Sequence, residues 1–393
     1  MEKLIAYVGL FKFPYGEAAS KRVLENAKLF NSLGYKVIIG HGGNLDYTQE
    51  YLLNDEFNIS YCGLNESFSN FNKIKKLFMH FFNGGKETVK WLESLDQKPE
   101  YVIVYGGFYT YASKILSYCK RKNIKIIFDV VEWYEPSQML GGRYGFFYNS
   151  FSLAFKYIYP KADGIICISK NLKKVFKNNI TVVIPPLAHF VNPIQKIKTL
   201  DTDQLKLVYA GNIGNKDYLS EIIKVVNKLS GQFNIAFDIY GPSIAEIKEK
   251  CGILDFSDSV HICGRVQQSQ INLILAQYDF LIFVRPDSHC NKYGFPSKFS
   301  ESLGIGLPVA TNLTSDLSEY LIDGYNGYII SNIDFVSIEN TILKMLLLKS
   351  KEKEIFKINS INTVKEKLSY KSSVIQSNIS DFFLRLEDSY ENS

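Results

Sequence analysis

Cysteine is scarce in this chain. It has six cysteines among 393 residues, and no two of them form a CxxC pair. Zinc sites with paired cysteines and thiol redox motifs are therefore disfavoured. Cys167 lies in the apolar run "GIICIS", which is typical of a small core residue. Such thiols fit a reducing compartment better than a disulfide framework, so we expect a cytoplasmic protein.

Several other features are also missing from the sequence. No apolar run reaches the length of a membrane span, and "MEKLIAYVGL" is too short and wrongly flanked for a signal peptide. The net charge is only +5, and the basic residues do not form the dense stripe of a nucleic-acid binder. The five histidines are scattered without metal-ligand spacing, and no Ser–His–Asp pattern is legible. We therefore expect no metal site and no nucleic-acid partner.

The chain is instead rich in short apolar runs, which alternate with helical patterns. Runs such as "YKVIIG", "YVIVYGG" and "IKIIFDVV" are typical of strands buried on both faces of a parallel sheet. The same alternation restarts at "LKLVYAGN", after a polar stretch that contains prolines. Repeated strand–helix units predict an α/β protein with two tandem Rossmann-like domains. We place these domains at 1–187 and 205–369, with a linker at 188–204 and a helical pattern at 370–393.

The stretch "PSKFSESLGIGLPVATN" predicts a helix that begins near Pro296, because proline fits the first helical turn. The N–H groups from Ser297 to Phe299 would then face a loop, and a helix N-terminus of this kind binds phosphate. Lys298 adds a positive charge there. Glu301, one turn further on, can accept hydrogen bonds from the two vicinal hydroxyls of a ribose. The alternative is a solvated lysine–glutamate pair of little energetic weight.

This stretch resembles the C-terminal signature of retaining GT-B glycosyltransferases of the family 4 type. Glu301 stands seven residues before Pro308, which matches the family's ribose-binding glutamate. The segments "SDLSEYLIDGYNGYII" and "FPYGEAASKRVLENAKLFNSLGYKVIIG" are similar to further family elements. The resemblance implies the GT-B fold, in which two Rossmann-like domains face a cleft that binds a nucleotide sugar. It also implies that the C-terminal helix, 370–393, returns to the first domain.

The sequence departs from the family pattern at two positions. A second glutamate is common eight residues before the first, and here that position is Tyr293. In "VYAGNIGNKDYLSEI" the resemblance implies a phosphate loop, but Asn212 stands where an arginine is common. Lys216 is our candidate for the basic residue of this loop. A plain turn with a solvated lysine is the alternative.

Three further residues are candidates for the donor side. Arg285 ends a buried-looking strand in "FLIFVRP", where its charge needs either a carboxylate or a ligand phosphate as a partner. Arg265 in "HICGRVQQSQ" could reach the nucleotide or lie on the surface. Gly16 in the first loop permits a close approach of backbone to ligand.

The segment "FDVVEWYEPSQMLGG" places carboxylates beside aromatic rings, which is how proteins hold sugars. We assign Glu132 and Asp129 as candidate catalytic residues, and Trp133, Tyr134 and Arg22 as candidate acceptor-binding residues. The alternative is that Asp129 caps the turn and Glu132 pairs with Arg143.

The resemblance implies a glycosyltransferase that moves a sugar from a UDP- or GDP-sugar to a glycan or lipid-linked acceptor with retention, in bacterial surface polysaccharide synthesis. Fixed cations would stabilise the leaving diphosphate, so we expect no metal or cofactor. The basic and aromatic stretch 71–86 predicts peripheral contact with the inner face of the membrane. The alternatives are a catalytically silent subunit, which Tyr293 favours, and a sugar-nucleotide epimerase. A periplasmic-type binding protein is disfavoured by the missing signal peptide.

Overall fold

The structure of the chain is a computed structural model. It describes residues 2–14, 18–43, 51–52, 56–66, 79, 81–190, 203–214 and 217–391. Two compact units divide the chain, namely Met1–Pro185 with Tyr370–Ser393, and Pro186–Ser369. The stretch 188–204, which the sequence suggested as a linker, begins inside the second unit, and most of it lies outside the described residues.

The first unit contains an eight-stranded sheet with the order β3-β4-β2-β1-β5-β6-β7-β8. Every neighbouring pair is parallel except β3 and β4, which are antiparallel. The strands are β1 (Lys3–Gly9), β2 (Tyr35–His41), β3 (Tyr51–Leu52), β4 (Ile59–Gly63), β5 (Tyr101–Tyr105), β6 (Lys125–Val130), β7 (Gly164–Cys167) and β8 (Ile180–Val183).

Helices connect these strands. They are α1 (Ala18–Ser32), α2 (Lys86–Ser94), α3 (Tyr109–Lys122), α4 (Phe146–Leu153) and α5 (Lys170–Val175), and a π-helical segment, Ala154–Ile158, follows α4. On α1 the residues Val23, Ala27 and Phe30 recur at helical spacing and are fully buried. Ser169 caps α5, because its hydroxyl accepts a hydrogen bond from the Leu172 N–H.

The second unit contains a six-stranded parallel sheet with the order β11-β10-β9-β12-β13-β14. Its strands are β9 (Leu205–Ala210), β10 (Ile235–Tyr240), β11 (Val260–Gly264), β12 (Phe280–Ile282), β13 (Val309–Thr311) and β14 (Gly327–Ile329). The strand order reverses between β9 and β12. In open parallel sheets ligands bind outside the carboxyl ends of the strands at such a reversal.

The helices that follow are α6 (Ser220–Leu229), α7 (Ile244–Cys251), α8 (Gln268–Leu275), α9 (His289–Tyr293), α10 (Ser297–Gly304), α11 (Phe335–Leu346), α12 (Ser350–Lys367) and α13 (Ser373–Glu391). Pro296 is the N-cap of α10, and Gly306 in the turn after it has a φ of +76°. That turn needs glycine because other residues adopt this conformation rarely. The predicted α/β fold with doubly wound sheets is confirmed.

The C-terminal helix α13 packs on the sheet of the first unit. The ring centroid of Phe383 lies 4.7 Å from that of Tyr101 and 5.0 Å from that of Tyr35. Lys3 Nζ lies 2.7 Å from Glu387 Oε1 at the same surface. None of the helices in the described part of the chain combines the length and the apolar character that crossing a membrane requires.

Candidate functional site

Three strands of the second sheet end in closely stacked glycine turns. The Gly211 N–H donates to the Tyr240 carbonyl at 3.0 Å, and the Gly241 N–H donates to the Gly264 carbonyl at 2.8 Å. A Cβ atom on Gly241 would lie 2.0 Å from the Gly211 carbonyl oxygen, so only glycine fits there. These turns keep the carboxyl edge of the sheet open beside β9.

The chain after β9 returns alongside β12. The Tyr218 N–H donates to the Val284 carbonyl at 2.9 Å, in a short antiparallel bridge. This bridge brings Asp217 next to Arg285, which follows β12. The side chain of Asn312 fixes the backbone of Arg285 from the other side, accepting from its N–H at 2.7 Å and donating to its carbonyl at 2.8 Å.

A cluster of two cations around one carboxylate forms at this point, and we call it the Asp217 cluster. Arg285 Nε lies 2.9 Å from Asp217 Oδ1, and Lys298 Nζ lies 2.6 Å from Asp217 Oδ2. The Tyr209 hydroxyl also donates to Asp217, at 2.9 Å. The side chain of Asp217 is 4% exposed, against 10% for Arg285 and 18% for Lys298. The two cations are thus nearer to solvent than the anion that holds them.

Aromatic rings form the wall behind Lys298. Its Nζ atom lies 4.2 Å from the ring centroid of Tyr209 and 5.2 Å from that of Phe283, within the range of cation–π attraction. A Cβ atom on Gly211 would lie 2.7 Å from Lys298 Nζ. The glycine after β9 therefore makes room for the lysine that α10 supplies.

The charge states within the cluster follow from burial and contact. Burial lowers the pKa of Lys298, while Asp217 opposes that shift and Arg285 adds to it. Burial alone would raise the pKa of Asp217, but Lys298 and Arg285 hold it below its ordinary value. Asp217 is therefore ionised at neutral pH and balances only one of the two cations. Counted over Asp217, Arg285 and Lys298 alone, the cluster has two basic groups to one carboxylate, which suits an anionic ligand.

The first turn of α10 lies beside this cluster. The Phe299 N–H donates to the Pro296 carbonyl at 2.9 Å, so it is not available to a ligand, although the sequence suggested that it would be. The N–H groups of the first turn otherwise have no partner within a helix, and they favour negative charge. Ser297, the first residue of α10, is half-buried, as is Glu301 one turn further on. Glu301 adds a smaller favourable charge to Lys298.

Three other positions of the second unit were also singled out in the sequence. The side chain of Arg265 is 75% exposed and lies 3.6 Å from Glu246, as in a loose surface pair. Asn212 is exposed, and its carbonyl lies 3.3 Å from the Tyr209 hydroxyl. The ring centroid of Tyr293 lies 4.6 Å from that of His289 on α9. A donor-binding role for Arg265 and Asn212 stays a prediction.

In the first unit Asp129 and Arg22 form a buried ion pair. Arg22 Nη2 lies 2.7 Å from Asp129 Oδ1, and Arg22 Nε lies 2.9 Å from Asp129 Oδ2. The side chain of Asp129 is 0% exposed and that of Arg22 is 4% exposed. Tyr7 donates to the same carboxylate, and Arg22 Nη1 donates to the Ile184 carbonyl at 2.9 Å. This geometry indicates a structural role for both residues, and the catalytic and acceptor-binding roles suggested for them stay predictions.

The aromatic residues suggested for the acceptor pack against α4 and the π-helical segment that follows it. The Trp133 ring is stacked on Phe155 at a centroid distance of 4.9 Å, and the Tyr134 ring meets Phe151 edge-on at 5.0 Å. Burial raises the pKa of Tyr134, and a hydrogen bond to Glu132 adds to this shift. Glu132 is half-buried, so it remains reachable from solvent.

Sequence reasoning missed Asp217, although it holds the whole cluster. The signal that could have found it was the buried charge of Arg285, which needed a partner. Asp217 lies 68 positions before Arg285 and 81 before Lys298, so only the pairing of β9 with β12 brings them together.

Some sequence predictions fall outside the described residues. Gly16 and Lys216 are two of them, and most of the stretch 71–86 is another. At the end of that stretch the side chains of Phe81 and Phe82 are about half exposed, at 49% and 55%. Where the chain is described, no group of three or more His, Cys, Asp or Glu side chains could hold a metal ion.

The fold recurs in solved glycosyltransferase structures. Sucrose-phosphate synthase from Thermosynechococcus elongatus matches with a TM-score of 0.70 and 12% identity, covering 98% of this chain and 100% of that one. HepE from Anabaena, in complex with UDP and glucose, matches with a TM-score of 0.64 and 11% identity, covering 98% of this chain and 100% of that one. The apo form of the lipopolysaccharide outer core galactosyltransferase WaaB matches with a TM-score of 0.57 and 14% identity, covering 97% of this chain and 99% of that one. The chain thus has the GT-B fold of glycosyltransferases, which confirms the prediction.

The family comparison concerns the second unit. Residues 191–362 match the family model "Glycosyl transferases group 1", and the Asp217 cluster lies within the matched region. An uncharacterized glycosyltransferase of Methanocaldococcus jannaschii, MJ1069, is 22% identical over 233 residues. The match covers 56% of this chain and 58% of the relative, which is less than two thirds of its length.

Proposed function

We propose that this chain transfers a sugar from a nucleotide-diphosphate sugar to a glycan or lipid-linked acceptor, with retention at the anomeric carbon. The observation that carries the proposal is the Asp217 cluster, where two cations share one carboxylate in the region that matches the glycosyltransferase family. HepE binds UDP in its solved complex, which supports a UDP-sugar as the donor, with a GDP-sugar as the second choice. The name of WaaB supports a role in bacterial surface polysaccharide synthesis.

The proposed chemistry is electrostatic. Cleavage of the sugar–phosphate bond leaves negative charge on the departing diphosphate. Arg285 and Lys298 would neutralise that charge, with the first turn of α10 as a third positive element. The positive excess of the cluster means that the diphosphate need not displace Asp217 to gain a favourable site. Asp217 itself would hold the two cations in place between turnovers.

Glu301 would bind the ribose. It lies one turn after Lys298 on α10, so a nucleotide whose diphosphate sits at the cluster would direct its ribose along this helix. A carboxylate accepts hydrogen bonds from two vicinal hydroxyls at once, which fits a ribose. The fixed cations would replace a metal ion, so we propose that transfer requires neither a metal nor a cofactor.

The acceptor side is proposed to use the loop after β6. Glu132 is half-buried and bonded to Tyr134, so it is held in one orientation while it stays reachable. It would contact the acceptor sugar, with Trp133 beside it. The exposed Phe81 and Phe82 support the proposed membrane contact of the stretch 71–86 at the inner face of the cell membrane.

The substitution Glu301→Gln tests the ribose assignment. We expect near-loss of UDP-sugar affinity by calorimetry, with an unchanged melting temperature, because glutamine keeps the size of this half-buried side chain. Glu249→Gln, at an exposed glutamate of the same unit, is the matched control and should bind as the unaltered chain does. An unchanged dissociation constant for Glu301→Gln would contradict the assignment.

A second candidate is a catalytically silent subunit. Tyr293 stands where the family commonly has a glutamate near the donor sugar, and it packs against His289 instead of presenting a carboxylate. Release of UDP or GDP from a panel of sugar nucleotides, with a mixed glycan acceptor pool, separates the two candidates. Turnover supports the enzyme, whereas nucleotide binding without any turnover supports the silent subunit.

A further inference from the structure

A groove of about 820 Å³ lies on the first unit between α5 and α13. Residues of β8, the last strand of its sheet, line the groove between the two helices. Its walls carry Lys170, Lys173, Lys174 and Lys177 on one side, and Arg385 with Asp381 on the other. Neither the nucleotide site nor the loop after β6 includes any of these residues. The groove is thus a separate and strongly basic feature of this unit.

The lysines of the groove repeat at helical spacing. Positions 170, 173, 174 and 177 lie on one face of α5 and the turn that follows it, and all four side chains are exposed. Lys173, Lys174 and Lys177 form no ion pair or hydrogen bond through their ammonium groups with other described residues. Like charges at this spacing destabilise a helix. The positive charge of Lys173, Lys174 and Lys177 is therefore left for a ligand to neutralise.

Arg385 has a different part in the groove. Its Nη2 atom donates to the Thr181 carbonyl at 3.1 Å, on the open edge of β8. This bond joins α13 to the strand and occupies a backbone acceptor that an added peptide strand would need. The groove is therefore better suited to a ligand that interacts with side chains than to a strand-forming peptide.

One end of the groove lies at the same sheet edge as the loop after β6, which is proposed to contact the acceptor. Lys170 lies three positions after Cys167, the last residue of β7, and in the pairing of β6 with β7 Asp129 lies opposite Ile166. One end of the groove is thus at the carboxyl edge of the sheet, where the loop with Glu132 begins. Lys177 lies before β8, at the opposite edge. A chain held in the groove would run down the side of the unit from the loop proposed to contact the acceptor.

We propose that this groove binds an anionic glycan chain, which is the acceptor of the proposed transfer. The lysines would contact carboxylate or phosphate groups spaced along the chain. Asn378 and Asp381 supply hydrogen-bonding groups for sugar hydroxyls, and Leu384 offers an apolar surface for a ring face. The recessed shape favours a single chain over a flat lipid surface. This inference rests on the proposed glycosyltransferase function.

Calorimetry with a galacturonate oligosaccharide tests the proposal, with a neutral glucose oligosaccharide of the same length as comparison. We expect the full chain to bind the galacturonate and not the neutral sugar. The triple substitution Lys173→Gln, Lys174→Gln and Lys177→Gln should weaken binding by about tenfold or more at low salt. Its melting temperature should not fall, because the three side chains are exposed.

The matched control replaces three exposed lysines elsewhere on the same unit, Lys98, Lys122 and Lys161, by glutamine. It should keep the galacturonate affinity. Equal losses in both triple variants would overturn the proposal, because binding would then follow net charge alone. Binding to phosphatidylglycerol vesicles but not to the galacturonate would overturn it in favour of a membrane surface.

UDP binding distinguishes the two proposals. The groove variant should bind UDP as the unaltered chain does, which supports a site separate from the donor. If the unaltered chain binds the galacturonate through the groove but binds no nucleotide, the groove stands and the proposed function fails. If it binds UDP but not the galacturonate, the groove proposal fails and the donor site stands.

Discussion

Two buried ion clusters lie at the carboxyl edges of the two sheets, and they differ in how their charges balance. In the first unit Arg22 and Asp129 pair one to one, with side chains 4% and 0% exposed. In the second unit Asp217 shares its carboxylate between Arg285 and Lys298, which are 10% and 18% exposed. The first pair is neutral and closed, whereas the second cluster carries a positive excess on its more accessible side.

This difference teaches which of two similar-looking sites is suited to bind an anion. A neutral, fully buried pair gives a ligand neither charge nor access, so its contribution is to the fold. A cluster with one unbalanced cation offers both. The balance of charge separates the two sites more clearly than the residue types do, since each combines a carboxylate, an arginine and a tyrosine hydroxyl.

The largest expected effect is on stability, at the buried Arg22–Asp129 pair. Arg22→Met leaves the Asp129 carboxylate buried without its cation, which should cost about 3–5 kcal/mol of unfolding free energy. Chemical denaturation measures the loss. Lys90→Met, which removes the cation of the exposed Lys90–Glu87 pair, is the control and should cost less than about 1 kcal/mol. Equal small effects for both variants would remove the structural role given to Arg22.

A smaller effect on stability is expected at the Asp217 cluster. Asp217→Asn leaves Arg285 and Lys298 facing each other without a shared anion, and we expect a loss of about 1–3 kcal/mol. Solvent reaches both cations and softens their repulsion. Denaturation of this variant beside Arg22→Met measures the contrast directly. If Asp217→Asn loses more unfolding free energy than Arg22→Met, the structural role belongs to the Asp217 cluster and our assignment of the two sites is wrong.

The smallest expected effect is a shift in pH dependence. Burial lowers the pKa of Lys298 below the ordinary lysine value of 10.5. Only the protonated amine attracts a diphosphate, so UDP affinity should fall as pH rises through this lowered pKa. Asp217 raises the pKa of Lys298, while Arg285 lowers it. In Asp217→Asn the fall should therefore begin at a lower pH, and calorimetry across alkaline pH shows whether it does.

Much of the fold could be predicted because the signals are local. The apolar runs around β5, β6 and β7 are continuous, and their burial on both faces follows from that pattern alone. The short strand β14 was not predicted, because "GYI" is only three residues long and follows a turn at Gly324. Such a strand is specified by its parallel pairing with β13 and not by its own sequence.

The site was predictable only in its local part. Lys298 and Glu301 share one helix, so their spacing was visible in the sequence. The link from Asp217 to Lys298 depends on the strand order, which no local pattern records. The same limit applies to Asp129 and Arg22. They contact each other across 107 positions of sequence, which no local pattern records.

One double comparison tests the central claim, that the Asp217 cluster binds the diphosphate of a nucleotide sugar. Calorimetry would measure UDP and uridine against the unaltered chain and against Lys298→Met. We predict that UDP binds the unaltered chain at least about tenfold more tightly than uridine does, and that Lys298→Met loses most of this difference. An equal preference for UDP in both chains would show that the diphosphate binds elsewhere.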